Sequence, residues 1–211
     1  MPFPTTNATQ ELPAINQILA SCGQAPVTTL DQTNPDVAIA YDTLLQVSKE
    51  IQAEGWSFNK EHHVEFTPSA DADTLNQILI PSNIIQIKLT ENGTNIHYDG
   101  IRRSGKLYDR MHHRYEWPDH STVECDVVYE FDWVDLPQPI QDYITAKAAT
   151  LTAGKIVGDN QQYQRLQQQE LVARATALEY ETQQGQYTIF GHPYDKTNYY
   201  NSYQPFKALQ R

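Results

Sequence analysis

The spacing of apolar residues along this chain changes twice, and that change restricts the folds open to it. From Val37 to Ile51, Tyr41, Leu44 and the small Ser48 fill the three- and four-residue steps of a helix with one buried face. Asn34 supplies an N-cap, Pro35 suits the first helical position, and Gly55 supplies the stop. From Val123 onward the step is two. Val123, Cys125, Val127, Tyr129 and Phe131 point one way, while Glu124, Asp126, Val128, Glu130 and Asp132 point the other. That pattern describes a half-buried strand with an acidic outer face. Beyond Leu136 and Pro137 the helical period returns in Ile140, Tyr143, Ile144, Ala148 and Leu151. Helices at both ends with strands between them predict an α+β fold.

The remaining segments fill in that outline. Leu12, Ile15, Leu19 and Cys22 form a first helical stripe closed by Gly23, with Pro13 tolerable only in the first turn. Between Trp56 and about Trp133, short runs rich in Ile, Val, Tyr and Thr are cut by turn residues at Pro81-Ser82-Asn83, Asn92-Gly93, Asp99-Gly100 and Ser104-Gly105. Asp159 and Gln162 resemble a capping box that opens a long polar helix to about Gln184. Its apolar positions, Tyr163, Leu166, Leu171, Ala175 and Leu178, can cover only one narrow side. The expected organisation is a helical bundle from residues 10–57 and 136–184, an inserted β-rich domain over 58–135, and an extended C-terminal arm over 185–211.

Charge excludes one class of function. The net charge is −11, the wrong sign for a free nucleic-acid binder, whose phosphate contacts need clustered Lys and Arg. An acidic body suits solubility, and also a conduit through which DNA slides without sticking. Glu124, Asp126 and Glu130 are therefore expected to face a DNA channel or solvent and not a basic partner. The two cysteines lack any ligand spacing and are expected to be free thiols. The first ten residues hold no basic residue or apolar stretch of the secretory kind, and no run is long enough to span a membrane, so synthesis in a cytoplasm is expected.

Chemistry is sparse. Of seven histidines, His62-His63 and His112-His113 are adjacent pairs. Neighbours on a strand point to opposite faces, so neither pair is expected to chelate, and no zinc motif occurs. Glu124, Asp126, Glu130 and Asp132 could in principle supply the facing carboxylates of a polysaccharide hydrolase, with Trp117 and Trp133 stacking on sugars. An acidic, solvated strand face explains the same residues more simply. No catalytic, cofactor-binding or metal residue is assigned.

The last 26 residues are unusual. They hold five Tyr, two Phe and two Pro, with little charge and no period. Disordered segments are poor in aromatics, so this arm is expected to order against a partner through Tyr187, Phe190, Tyr199, Tyr200, Tyr203 and Phe206. The plainer reading is an arm folded back on its own domain.

The order of four segments adds a resemblance. ELPAINQILASCGQAPVTTL opens the chain, EIQAEGWSFN follows the second helix, GKLYDR lies in the β-rich stretch, and LPQPIQDYITAKAA starts the third helix. Together they resemble the tail tubular protein A family, the tail adaptors of short-tailed phages, over roughly Glu11 to Glu181. The resemblance implies a structural subunit with no enzymatic activity and no cofactor. It implies a dodecameric ring of copies between the phage portal protein and the tail nozzle protein (tail tubular protein B), with tail fibres gathering near the joint. DNA would pass through the ring during ejection without specific binding, and the protein would reside in the virion tail. The His-rich middle and the Tyr-rich arm depart from the family pattern.

Overall fold

A computed structural model describes residues 8–31, 33–90, 97–118 and 122–185. The helices are α1 (Ala8–Ser21), α2 (Pro35–Gln52), α3 (Gln138–Ile156) and α4 (Asn160–Gly185). The strands are β1 (Lys60–Phe66), β2 (Ile84–Leu89), β3 (Gly100–Arg103), β4 (Lys106–Asp109) and β5 (Val123–Tyr129). The mixed class is α+β, as the alternating periods predict. No helix among the described residues is long and apolar enough to cross a membrane.

Local chemistry explains most boundaries. The Asn34 side chain accepts the Asp36 N–H at 3.1 Å, Pro35 opens α2, and Gly55 follows its end in the left-handed region at φ +77°. On α2, Val37, Tyr41, Leu44 and Ile51 are buried as the stripe requires, while Ser48 is only half-buried and Val47 is buried in addition. α1 begins a turn earlier than its stripe suggests. Pro13 therefore sits inside the helix, where it removes one helical hydrogen bond. Burial of Ala14, Ile15, Ile18 and Leu19 carries the helix through that loss.

α3 is the central helix, packed against α1, α2 and α4. It buries Ile140, Tyr143 and Ile144 together with small Ala148, Ala149 and Ala153. Small side chains on several faces let three neighbours approach, and the buried Thr145 and Thr150 hydroxyls donate to carbonyls one turn back, at 2.8 and 3.0 Å. Leu151, expected on the buried stripe, is instead 36% exposed.

Among the described residues the apolar core falls into two clusters. One gathers α1, α2 and α3 with Trp56, Trp133 and Ala177; the other gathers Ile78, Ile84, Leu107, Trp117, Val123, Cys125 and Val127 under the strands. The first sheet is antiparallel in the order β1-β5-β2, and β3 and β4 form a separate hairpin. Val123, Cys125 and Val127 are buried as the alternation requires, but β5 stops at Tyr129. Val128 breaks the alternation. It is 6% exposed on the outer face, and an added Cβ at Gly55 would lie 3.4 Å from it, so the outer face meets the end of α2 there.

Polar groups seal that junction. Asn59, fully buried, donates to the Gln52 and Tyr129 carbonyls at 2.9 Å each and accepts the Trp56 N–H at 2.9 Å. Gln52 in turn donates to the Phe131 carbonyl and accepts the Phe131 N–H, at 3.2 and 2.8 Å. Every one of these groups is satisfied, so the joint between bundle and sheet is directional as well as apolar.

Candidate interaction site

The acidic face of β5 carries the residues singled out from sequence, and a β-bulge shapes it. Glu61 pairs with Val127 and Val64 with Cys125, so His62 and His63 together oppose the single Asp126. His63 takes φ +57°, unusual for a residue with a side chain. The bulge overturns the expectation that adjacent histidines diverge. His62 Nδ1 lies 3.1 Å from Asp126, and His63 Nδ1 lies 2.9 Å from Glu124. Asp126 also accepts the His63 N–H at 3.3 Å and the Thr90 hydroxyl at 3.2 Å. Glu130, beyond the strand, pairs with Lys49 of α2 at 3.2 Å.

Glu124, Asp126 and Glu130 thus point outward, with side chains 36%, 27% and 24% exposed, and each also meets a His or Lys of its own chain. Only the insertion of one residue into β1 brings the histidines to this side, and a two-residue alternation carries no signal for that.

Hydrolytic chemistry finds no support in this arrangement. Trp117 is 1% exposed with its indole N–H donating to the Leu107 carbonyl at 3.1 Å, and Trp133 is 9% exposed in the helical core. Neither can stack on a sugar, which corrects the sequence expectation. No group of three or more His, Cys, Asp and Glu among the described residues is placed to hold a metal ion. Both thiols are buried. Burial, with Asp126 and Glu124 alongside, pushes Cys125 up to about 12, and burial also raises Cys22.

A second ordered feature follows β4. Asp109 is buried, and its carboxylate accepts the N–H groups of Met111 and Asp99 at 2.9 and 3.4 Å and lies 2.5 Å from His112 Nδ1. Desolvation pushes its pKa up, but the His112 contact and the two N–H groups outweigh it and hold the carboxyl below its usual range. Arg110 pairs with Asp99 at 2.7 Å. Asp109 and Arg110 together therefore fix the end of β4 against the start of β3.

Several exposed apolar residues lie on α4. Of its 26 residues only Ala177 is fully buried, while Leu171, Val172 and Leu178 are 63%, 68% and 45% exposed. An open groove of about 590 Å³ runs between α3 and α4, lined by Pro139, Asp142, Arg165, Val172, Ala173 and Thr176. The expected arm anchors Tyr187, Phe190, Tyr199, Tyr200, Tyr203 and Phe206 lie outside the described residues.

Exposed apolar side chains along α4 are those of a surface suited to cover by another protein. The model of the tail tubular protein family matches residues 12–187. Tail tubular protein A of Klebsiella phage KP34 is 30% identical over 142 residues, which is 65% of this chain and 70% of the relative. The chain belongs to the tail tubular protein family. It is a structural component of a phage tail and associates there with other tail proteins.

Proposed function

We propose that the chain is a tail adaptor whose copies form a ring between the phage portal protein and the tail nozzle, sealing that joint and continuing the DNA channel. The observation that carries the reading is α4: a helix of 26 residues that buries one residue completely has faces awaiting partners. A ring needs two different complementary faces on each copy, because its contacts are heterologous. The net charge of −11 suits a passage in which DNA must not stick, and the outward Glu124, Asp126 and Glu130 belong to that acidic surface. Tail tubular protein B and the tail fibres are the further partners in this reading. The aromatic arm over 186–211 is its anchoring strap.

Electron microscopy of the purified chain mixed with portal protein tests this. A closed ring of copies seated on the portal is the expected image, and enzymatic activity plays no part. Failure to co-migrate with portal at any salt concentration would remove the adaptor reading.

A further inference from the structure

We propose that the outward face of the β3–β4 hairpin docks onto the acidic shoulder around Val134 of a second copy of this chain. The inference deepens the self-assembly reading above and rests on it. Register defines the face. β4 pairs with β3, Ile101 opposite Tyr108 and Arg103 opposite Lys106, and Lys106 also bridges to Leu79 on its other side. Directly opposed residues share a face, so Leu79, Lys106, Arg103, Ile101 and Tyr108 lie together. The reverse face is taken up by the protein's own interior. Leu107 and Asp109 are buried there, and Arg102 donates to the Ile84 carbonyl.

The outward face has the composition of an interface. Leu79 is 50% and Ile101 38% exposed, large values for apolar residues that flank β4 on either side of one sheet face. The Arg103 guanidinium lies 4.2 Å over the Tyr108 ring, and Tyr115 meets that ring edge-on at 4.8 Å. Lys106 donates to the Gln77 side chain at 2.7 Å, and neither Arg103 nor Lys106 makes an ion pair with a described residue. The turn is fixed by Ser104 and Gly105, both at positive φ, and the strand end by Asp109, so the surface is pre-organised.

Charge selects the partner. Residues 97–118 carry five Lys and Arg against three Asp and Glu, so the rest of a chain of net charge −11 carries −13. A cationic face with tyrosines also suits nucleic acid, but the acidic body repels phosphate while it attracts this hairpin in another copy. The matching feature is the short helical turn Trp133–Asp135. Trp133 and Leu136 anchor it in the helical core, leaving Val134 44% exposed between exposed Asp132 and Asp135, neither of which makes an ion pair with a described residue. Two adjacent cations, with Leu79 beyond one and Ile101 beside the other, meet an exposed valine that lies between two carboxylates. A contact between two different faces can repeat head-to-tail from copy to copy, as a ring requires.

Charge exchange in the full chain tests the assignment, with ring formation read by sedimentation and microscopy in the presence of portal protein. Arg103→Glu with Lys106→Glu is expected to weaken assembly about ten-fold or more, as is Asp132→Arg with Asp135→Arg, and combining all four should restore it. Arg103→Gln with Lys106→Gln gives a smaller loss and serves where reversal unfolds the hairpin. If the wild type forms rings and both hairpin pairs assemble equally well, this surface is wrong and the ring stands. A wild type that never forms a ring removes both readings. Binding of short duplex DNA by the wild type, lost in the hairpin variants, would give the face to nucleic acid and overturn the proposal.

Discussion

The carboxylate of Glu181, near the end of α4, accepts the Ser57 N–H at 2.9 and 3.0 Å and the Ser57 hydroxyl at 2.8 Å. Three hydrogen bonds to one charged group thereby tie α4 to the turn that leaves α2. Ala177, one turn earlier, is the one fully buried residue of α4.

Glu181→Ala is therefore expected to cost about 1–3 kcal/mol, the range for removing a charged acceptor from part-buried donors. Ser57→Ala deletes only the hydroxyl bond and should cost less. Urea denaturation of both variants and their combination measures the coupling. Strictly additive losses would show that the hydroxyl and carboxylate do not interact.

Much of this architecture was legible in the sequence because it depends on local signals. The α2 caps, the alternation of β5 and the polar character of α4 each follow from residues within one element. What was not legible depends on contacts across the chain. Val128 reads as an outward residue until α2 ends against it. His62 and His63 read as divergent until a bulge opposes both to Asp126. Trp117 and Trp133 read as available rings until the cores that bury them are known. The outward hairpin face was equally hidden, because its membership depends on Leu79 bridging to Lys106 from outside the hairpin.

Two glycines should resist substitution for different reasons. Gly55 sits at φ +77°, where an added Cβ would still find ordinary contact with Val128 at 3.4 Å, so the cost is backbone strain of about 1–2 kcal/mol. Gly55→Asn should then be milder than Gly55→Ala. At Gly100 an added Cβ would lie 3.0 Å from Leu89 and 3.1 Å from Leu107, so packing is the obstacle and Gly100→Asn should be worse than Gly100→Ala. Thermal melts of the four variants check both orders, and the same order at both sites would refute the distinction.

Asp109 should make the protein acid-sensitive. Its folded pKa lies below the ordinary 3.8, so its contribution is fully present above that value and is lost as pH falls through the depressed folded pKa. Asp109→Asn is expected to be less stable than the wild type near neutrality, and the gap should narrow below about pH 4. Denaturant titrations from pH 7 down to pH 3 measure it. A gap that stays constant with pH would mean that packing, and not the charge, is what the carboxylate supplies.

The two thiols give a test of burial. Cys125, pushed up to about 12, and Cys22, also raised, should both resist alkylation at pH 8 in the folded protein and react once it is unfolded. Mass spectrometry after timed labelling reads each site separately. Rapid native labelling of Cys125 would show that the sheet core opens far more often than its packing suggests.

The aromatic arm should be dispensable for folding and needed for assembly. Among the described residues both apolar clusters are built from residues up to Ala177, and the Glu181 contact that fastens α4 also precedes the arm. The family match ends at residue 187, so the shared framework closes where the arm begins. A chain ending at Gly185 should accordingly melt within a few degrees of the full chain. Aromatic anchors such as Tyr199, Tyr200 and Phe206 often carry about 2 kcal/mol or more each at the centre of an interface. Removing all of them should weaken ring assembly or portal docking by orders of magnitude while leaving the helical signal intact. Thermal melts beside co-sedimentation with portal protein decide the matter. A truncated chain that assembled normally would show that the arm is no strap, and one that unfolded outright would show that the arm completes its own domain.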